Sequence, residues 1–438
     1  MTAITGITLP TPIAWSDVEG DAQAHINGLE NLLDNNYFTF GPISLPLRAF
    51  YEAAVREVLA EEKQKNRYDI ACYWEAYKPF APDHQTLTDF FNDWLTFTPP
   101  PSPVVEPTTP PTPEDGGPGI YIEYWDYLVN TVSGLILANT EPFKSWFTTF
   151  LNYHGDFINS DMSKGTLEQW IKYPGTKDHP FSIDNYKVPE EGFQSFNQFF
   201  LRNLKADERP LCSDANPANT IVAPCDGGIF YLHKEIDLPK NNELSEKVYR
   251  LPGKSNDPFN LVDAIPGYGE KFVGGNLFDI LLWFTDYHHF HAPVAGKVVS
   301  THHYPGSYNY DFGDYDPLKR SAPPLSKSSD RVGWYNQLAK HQRFVWVIET
   351  AFGDVAMIAI GFWGVGNIYN DIKEGDTLNL GDYMGHFNYG GSSIVLAFEP
   401  NSNLEFAVVD SKTKESKKIK DADHPTLMEV RECLGTVK

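Results

Sequence analysis

The sequence predicts an α+β protein: a helical N-terminal region followed by a mostly antiparallel, β-sandwich or barrel-like core. Three observations carry this. Apolar residues recur at helical spacing through the first part of the chain, and a proline-rich stretch interrupts them. From Asn219 onward, short β-branched or aromatic runs are bounded by Gly, Pro and Asp. The reading gives a helical domain at 1–98, a linker at 99–119, a helical segment at 120–190 packing on the core, and the core at 191–438.

The first helix is marked by Leu47, Phe50, Tyr51, Ala54, Val55, Val58 and Leu59, one apolar stripe with Arg48, Glu52, Arg56 and Glu57 opposite. Phe90, Phe91 and Trp94 mark a second. Nine prolines between Pro99 and Gly119 remove amide donors and stiffen the chain, which reads as a linker or exposed loop. A ligand for a proline-binding domain is the less favoured alternative. Helical periodicity resumes at Tyr121, and Phe143, Trp146, Phe147, Phe150 and Leu151 form another stripe, with Pro142 placed for its first turn. That stripe carries Lys144 but no basic face, so core packing is favoured over a membrane surface. Strands are expected in TIVAPCDGGIFYL, KFVGG, KVVSTHHYPGSY, RFVWVIET, DVAMIAIGFWGVGNI and SSIVLAFEP, and glycine-rich turns in KEGDTLNLGDYMGHFNYGG. The basic run 411–420 reads as a solvated loop.

Composition excludes several classes. At 41% hydrophobic and 14% aromatic, 438 residues can bury sizeable cores, which rules out wholesale disorder. With 58 acidic against 35 basic residues, the net charge of −23 argues against nucleic acid and against tight docking on anionic membrane. The longest apolar run, Val355 to Gly366, is too short to span a bilayer and reads as strand. The first basic residue is Arg48, so the start lacks a signal peptide's charged end. Cys72, Cys212, Cys225 and Cys433 show neither pairing nor metal spacing, as expected of a reduced, cytoplasmic protein.

Three segments can carry chemistry. In Asp286-Tyr287-His288-His289-Phe290-His291, three of thirteen histidines fall within four positions, and His302-His303 follow. Strand alternation sets His289 and His291 on one face and His288 on the other. A metal site lacks any further ligand spacing, and incidental surface histidines are a second reading; acid–base chemistry is favoured. Asp226, before Gly227-Gly228, is placed to orient a histidine, although Asp-Gly is also an ordinary turn. Cys225 beside it reads as a small buried residue rather than a nucleophile. Gly390-Gly391-Ser392-Ser393 either forms a tight turn into a strand or exposes a reactive Gly-Ser bond. No GxSxG elbow, phosphate loop or dinucleotide fingerprint appears.

Together these segments resemble the phosphatidylserine decarboxylase family of self-processing, pyruvoyl-dependent enzymes. FQSFNQFFLRNLKADERPL, IVAPCDGG, DYHHFHAPVAG, PGSY and EGDTLNLGDYMGHFNYGGSS occur in family order between Gly192 and Pro400. The resemblance implies self-cleavage between Gly391 and Ser392, although the family's usual LGST reads Gly390-Gly391-Ser392-Ser393 here. It implies that Asp226, His291 and Ser392 act as the processing triad and that His288 serves decarboxylation. His289 inherits no role. The implied cofactor is a pyruvoyl group made from Ser392, on which a substrate amine forms a Schiff base before CO₂ leaves. The implied partners are the substrate and the chain's own 392–438 piece, with neither a metal nor nucleic acid.

The 190 or so residues before the family core, with FNDW, LVNTVSG, FTTFLNYHGDFINS and SNDPFN, are similar in layout to the soluble fungal aromatic amino acid decarboxylases of this family. A free L-amino acid, aromatic as in tryptophan, is therefore the expected substrate. Phosphatidylserine, converted to phosphatidylethanolamine at a membrane, is the alternative.

Overall fold

The computed structural model describes residues 6–64, 87–101, 117–129, 131–176, 180–213, 215–234, 264–305, 342–362, 367–400, 403–417, 419 and 426–438. The motifs SNDPFN and most of PGSY lie outside them, as do Cys72 and 102–116 of the proline-rich stretch.

The helical stripes form as expected. Leu47–Gln64, Leu87–Leu95, Ile120–Val129, Val132–Asn139 and Phe143–Ile158 are helices. Trp146, Phe147, Phe150 and Leu151 are buried, against Phe91, Trp94 and Trp125, so the Phe143–Ile158 stripe is core and not a membrane face. Pro142 occupies the position before that helix rather than its first turn. Both ends of the proline-rich stretch are tied down. The Pro99 carbonyl accepts from Thr166 Oγ1 (2.7 Å) and Trp170 Nε1 (2.8 Å), and the Pro118 carbonyl accepts from the Tyr389 hydroxyl at 3.4 Å.

The strands are β1 (Tyr37–Phe40), β2 (Ile43–Pro46), β3 (Thr220–Val222), β4 (Gly227–Lys234), β5 (Asn276–Leu282), β6 (His289–His291), β7 (Gly296–Tyr304), β8 (Gln342–Thr350) and β9 (Gly353–Phe362). There follow β10 (Ile368–Asn370), β11 (Thr377–Leu378), β12 (Tyr383–Phe387), β13 (Gly391–Phe398), β14 (Leu404–Val409), β15 (Ser416–Lys417), β16 (Thr426–Met428) and β17 (Cys433–Val437). Eight of them make one open antiparallel sheet in the order β11-β7-β8-β9-β13-β5-β4-β16. A four-stranded sheet, β15-β14-β17-β3, and a three-stranded one, β10-β12-β6, accompany it. The α+β class is as predicted, with open sheets in place of a closed barrel among the described strands. The expected strand KFVGG is instead a 3₁₀ turn, Gly269–Phe272, leading into β5.

The large sheet is apolar on both faces. Along β13, Ile394, Leu396 and Phe398 join one core with Phe290, Met384 and Leu434 of the smaller sheets. Val395 and Ala397 join a second core with Ala264, Ile265 and Phe272. Period-two alternation thus makes β13 a doubly buried central strand. The helical region is not separate from this body: its core runs on through Tyr287, Tyr389 and Val430.

One expectation is corrected outright. Cys212 and Cys433, 221 residues apart, form a disulfide with Cα atoms 5.5 Å apart. The pairing of β17 with β3 brings them together, a tertiary contact that no local spacing announces. Cys225 is free and buried.

Candidate active site

The cleavage-motif glycines shape the entry to β13. Gly390 has φ +144°, a conformation that favours glycine, and it turns the chain from Tyr389 into the strand that begins at Gly391. Ser392 then stands in register with Leu282 of β5 and Gly361 of β9. Alternation sends the two serines to opposite faces. Ser393 Oγ donates to Asp279 Oδ1 at 3.0 Å, whereas Ser392 Oγ is fully buried with no hydrogen-bond partner among the described residues. An orphaned buried hydroxyl is costly and calls for an explanation, a reactive role among them.

The histidine motif divides as alternation predicts. His289 and His291 flank Tyr287, with ring centroids 4.4 and 5.9 Å away, while His288 faces the Phe200 ring at 3.8 Å. Phe200 is set by the helix Phe196–Phe200, which Ser195 caps by accepting from Gln198 N at 3.1 Å. His302 and His303 lie exposed on β7, outside this cluster.

The ring protonation follows from what each nitrogen meets, because a carbonyl only accepts. His291 Nδ1 donates to the Gly381 carbonyl (3.0 Å), leaving Nε2 as a lone pair 3.4 Å from the Tyr287 hydroxyl. His288 Nδ1 donates to the Asp286 carbonyl (3.0 Å), which also leaves its Nε2 basic. His289 Nε2 donates to the Leu201 carbonyl (3.0 Å). Burial lowers the pKa of His291 to about 3, assisted by the Arg431 charge and opposed by the Gly381 hydrogen bond and Asp226. Burial, with the Arg202 charge, lowers His288 to about 3 as well. Both imidazoles are therefore neutral bases at any physiological pH.

Asp226 ends the loop before β4, where Gly227 has φ +152° and a Cβ would come 2.6 Å from the Leu281 carbonyl. Its carboxylate accepts from Arg209 Nε (3.2 Å), Arg209 Nη2 (2.9 Å) and Val430 N (2.8 Å), all buried. No hydrogen bond joins Asp226 to His291 or His291 to Ser392 among the described residues; the charge of Asp226 nevertheless acts on His291. Burial pushes the neighbouring Cys225 thiol well up, aided by Asp226 and Asp286, so Cys225 is no thiolate nucleophile.

Two participants were not visible beforehand. Arg209, in the segment ADERPL, is ion-paired with Asp226 at 2.9 Å. Arg431, at φ +71°, donates through Nη2 (2.8 Å) and Nε (3.2 Å) to the same Gly381 carbonyl that holds His291. The helical region also reaches the site. Tyr389, three positions before Ser392, packs on Phe196, Phe200 and Phe284 and on His154 from the helix Phe143–Ile158.

Comparison with known proteins gives this arrangement a class. Residues 196–421, just over half the chain, match the phosphatidylserine decarboxylase family. The phosphatidylserine decarboxylase proenzyme of Clostridium kluyveri is 29% identical over 58% of this chain and 75% of its own. L-tryptophan decarboxylases of Psilocybe cyanescens and Psilocybe cubensis are 26% and 24% identical, over 66% and 74% of this chain and 70% and 74% of theirs. The chain is thus an enzyme of the carboxy-lyase class, a decarboxylase. It belongs to the phosphatidylserine decarboxylase family.

Proposed function

We propose that the chain is a proenzyme that cuts itself between Gly391 and Ser392 and then decarboxylates a free aromatic L-amino acid. The orphaned Ser392 hydroxyl, buried at the start of a central strand, is the observation that carries the first half. His291 Nε2 takes the hydroxyl proton, and Oγ attacks the Gly391 carbonyl to give an ester in place of the peptide bond. Elimination across the Ser392 Cα–Cβ bond releases the Gly391 carboxylate and leaves dehydroalanine. Water then replaces nitrogen as ammonia, leaving a pyruvoyl group at residue 392. The Gly381 carbonyl, which Arg431 also engages, holds His291 in the required tautomer, and Asp226, anchored by Arg209, supplies negative charge toward it.

A pyruvoyl group supplies an electrophilic carbonyl and an electron sink for the departing carboxylate's bonding pair. The chain's own residues do the rest. His288, neutral with a free Nε2, delivers or removes the proton at the substrate α-carbon. The apolar, aromatic wall of Phe200, Phe284 and Tyr389 excludes water.

The amino acid substrate is supported by the reach of the tryptophan decarboxylase matches, which extend over 66% and 74% of the chain against 58% for the Clostridium enzyme. The net charge of −23 agrees, since it opposes docking on an anionic lipid surface. Phosphatidylserine is the second reading, favoured by the slightly higher identity, 29%, to its decarboxylase. No helix among the described residues is long and apolar enough to cross a membrane.

The test has two stages. Intact mass under reducing, denaturing conditions should give pieces 1–391 and 392–438, the smaller one carrying pyruvoyl. A single full-length mass refutes self-processing. Release of CO₂ is then measured from L-tryptophan, L-tyrosine, L-phenylalanine and phosphatidylserine micelles. Release from the lipid alone overturns the amino acid assignment.

A further inference from the structure

The Cys212–Cys433 disulfide straddles the Gly391–Ser392 bond in the sequence, with one cysteine on each side. It sits on the seam between β3 and β17, where Cys433 is in register with Val222. The seam is laced on both sides. Cys212 N donates to the Arg431 carbonyl (3.2 Å), Arg431 N to Ala223 (2.9 Å), and Ala223 N to Glu432 (2.8 Å). Cys212 is buried, at 4% exposure. Three residues before Cys212 stands Arg209, and three before Cys433 stands Val430; these are the two groups that grip the Asp226 carboxylate.

We propose that the mature enzyme is a two-chain molecule whose chains are joined covalently by Cys212–Cys433. This rests on the self-cleavage proposed above. The bond forms on the folded precursor by thiol–disulfide exchange with a small-molecule disulfide such as oxidised glutathione. The two cysteines give up two protons and two electrons, the Sγ–Sγ bond closes through a mixed disulfide, and the small disulfide is reduced to two thiols.

Retention of the short chain does not need this bond in the native state, because β13 is hydrogen-bonded to β5 and β9 on both edges. The difference arises on unfolding. A cut, unlinked enzyme unfolds into two chains, so dilution favours unfolding. A linked one unfolds as a single molecule, and its midpoint is independent of concentration. The same link keeps Arg209 and Val430 closed on Asp226 after the cut.

The experiment uses the full chain, with free thiols alkylated before denaturation and the intact mass read with and without reductant. The proposal expects one mass without reductant and two pieces with it. Two pieces under both conditions overturn the cross-link and leave self-cleavage standing. One full-length mass under both conditions overturns self-cleavage, and the cross-link between chains with it. Cys433 is the one cysteine of 392–438, so Cys433→Ser should separate the pieces without reductant, and Cys212→Ser should do the same, whereas Cys72→Ser should leave them joined; pieces that stay joined in Cys212→Ser but separate in Cys72→Ser assign the bond to Cys72–Cys433 and refute this pair. If Cys433→Ser fails to fold, the wild-type denaturation midpoint decides. It should fall on tenfold dilution only when reductant is present, and a midpoint that falls equally without reductant refutes the link.

Discussion

Replacing either of two adjacent serines separates nucleophile from scaffold. Ser393→Ala removes a donor that Asp279 accepts at 3.0 Å inside the sheet, so a buried carboxyl loses one of its hydrogen bonds. A hydrogen bond to such a group contributes about 1.5–3 kcal/mol. At an unfolding entropy of about 2.1 cal/mol/K per residue over a chain of this length, that lowers the Tm by about 2–3 °C. Self-cleavage should persist, because Ser393 points to the face opposite Ser392. Ser392→Ala removes a hydroxyl that has no partner, and stability should hold or rise by about 1 kcal/mol, since an unsatisfied buried group is lost. Its cleavage should vanish. Differential scanning calorimetry reads the first quantity, and a reducing gel with intact mass reads the second. A folded Ser393→Ala chain that stays whole, or a Ser392→Ala chain that still cuts, would show that strand alternation does not select the nucleophile.

Further expectations follow from the same geometry. His288→Ala should cut normally yet release CO₂ at least about 100-fold more slowly, because its ring lies against Phe200 rather than on the His291 side; equal loss of both activities would merge the two histidine roles. An exposed histidine base fails as pH drops through about 6.5. His291, with its pKa lowered to about 3, stays neutral well below that point. Time courses of precursor conversion should therefore be flat from about pH 8 to about pH 5. A mid-point near 6.5 would mean that the ring is solvated before cleavage. Arg209→Leu strands the buried Asp226 carboxylate and should cost about 3–5 kcal/mol in urea unfolding, with Arg209→Lys recovering part of it. No loss with Leu would show that the buried pair adds nothing to the stability of the folded chain.

Much of this arrangement was legible in the sequence, for definite reasons. Helical stripes and strand runs are local patterns, so Leu47–Gln64, Phe143–Ile158 and β13 appear where periodicity places them. The split of His288 from His289 and His291 also follows from alternation alone. What escaped was held by partners far away in the chain or by backbone atoms. Asp226 looks like an orienter of histidine, yet its three hydrogen bonds come from Arg209 and Val430. The group that fixes His291 is a carbonyl, Gly381, which no residue type reveals. KFVGG has strand composition but is held by the Gly269–Phe272 turn. Cys212 and Cys433 meet only because β3 and β17 do.

The placement of β13 has a consequence in time. Residues 392–398 lie in the interior of an eight-stranded sheet, paired to Leu282–Asn276 on one side and to Gly361–Val355 on the other. A separate 392–438 peptide would have to wedge its first strand between two neighbours that, without it, would close on each other. The remaining strands of that piece, β14 to β17, thread into both larger sheets, through β4 and β3. Assembly from two pre-cut fragments would have to overcome that insertion, which the uninterrupted chain avoids. The self-cleavage proposed above would then follow folding as a one-way step: a cut molecule, once denatured, would lack the peptide connection that guided its central strand home.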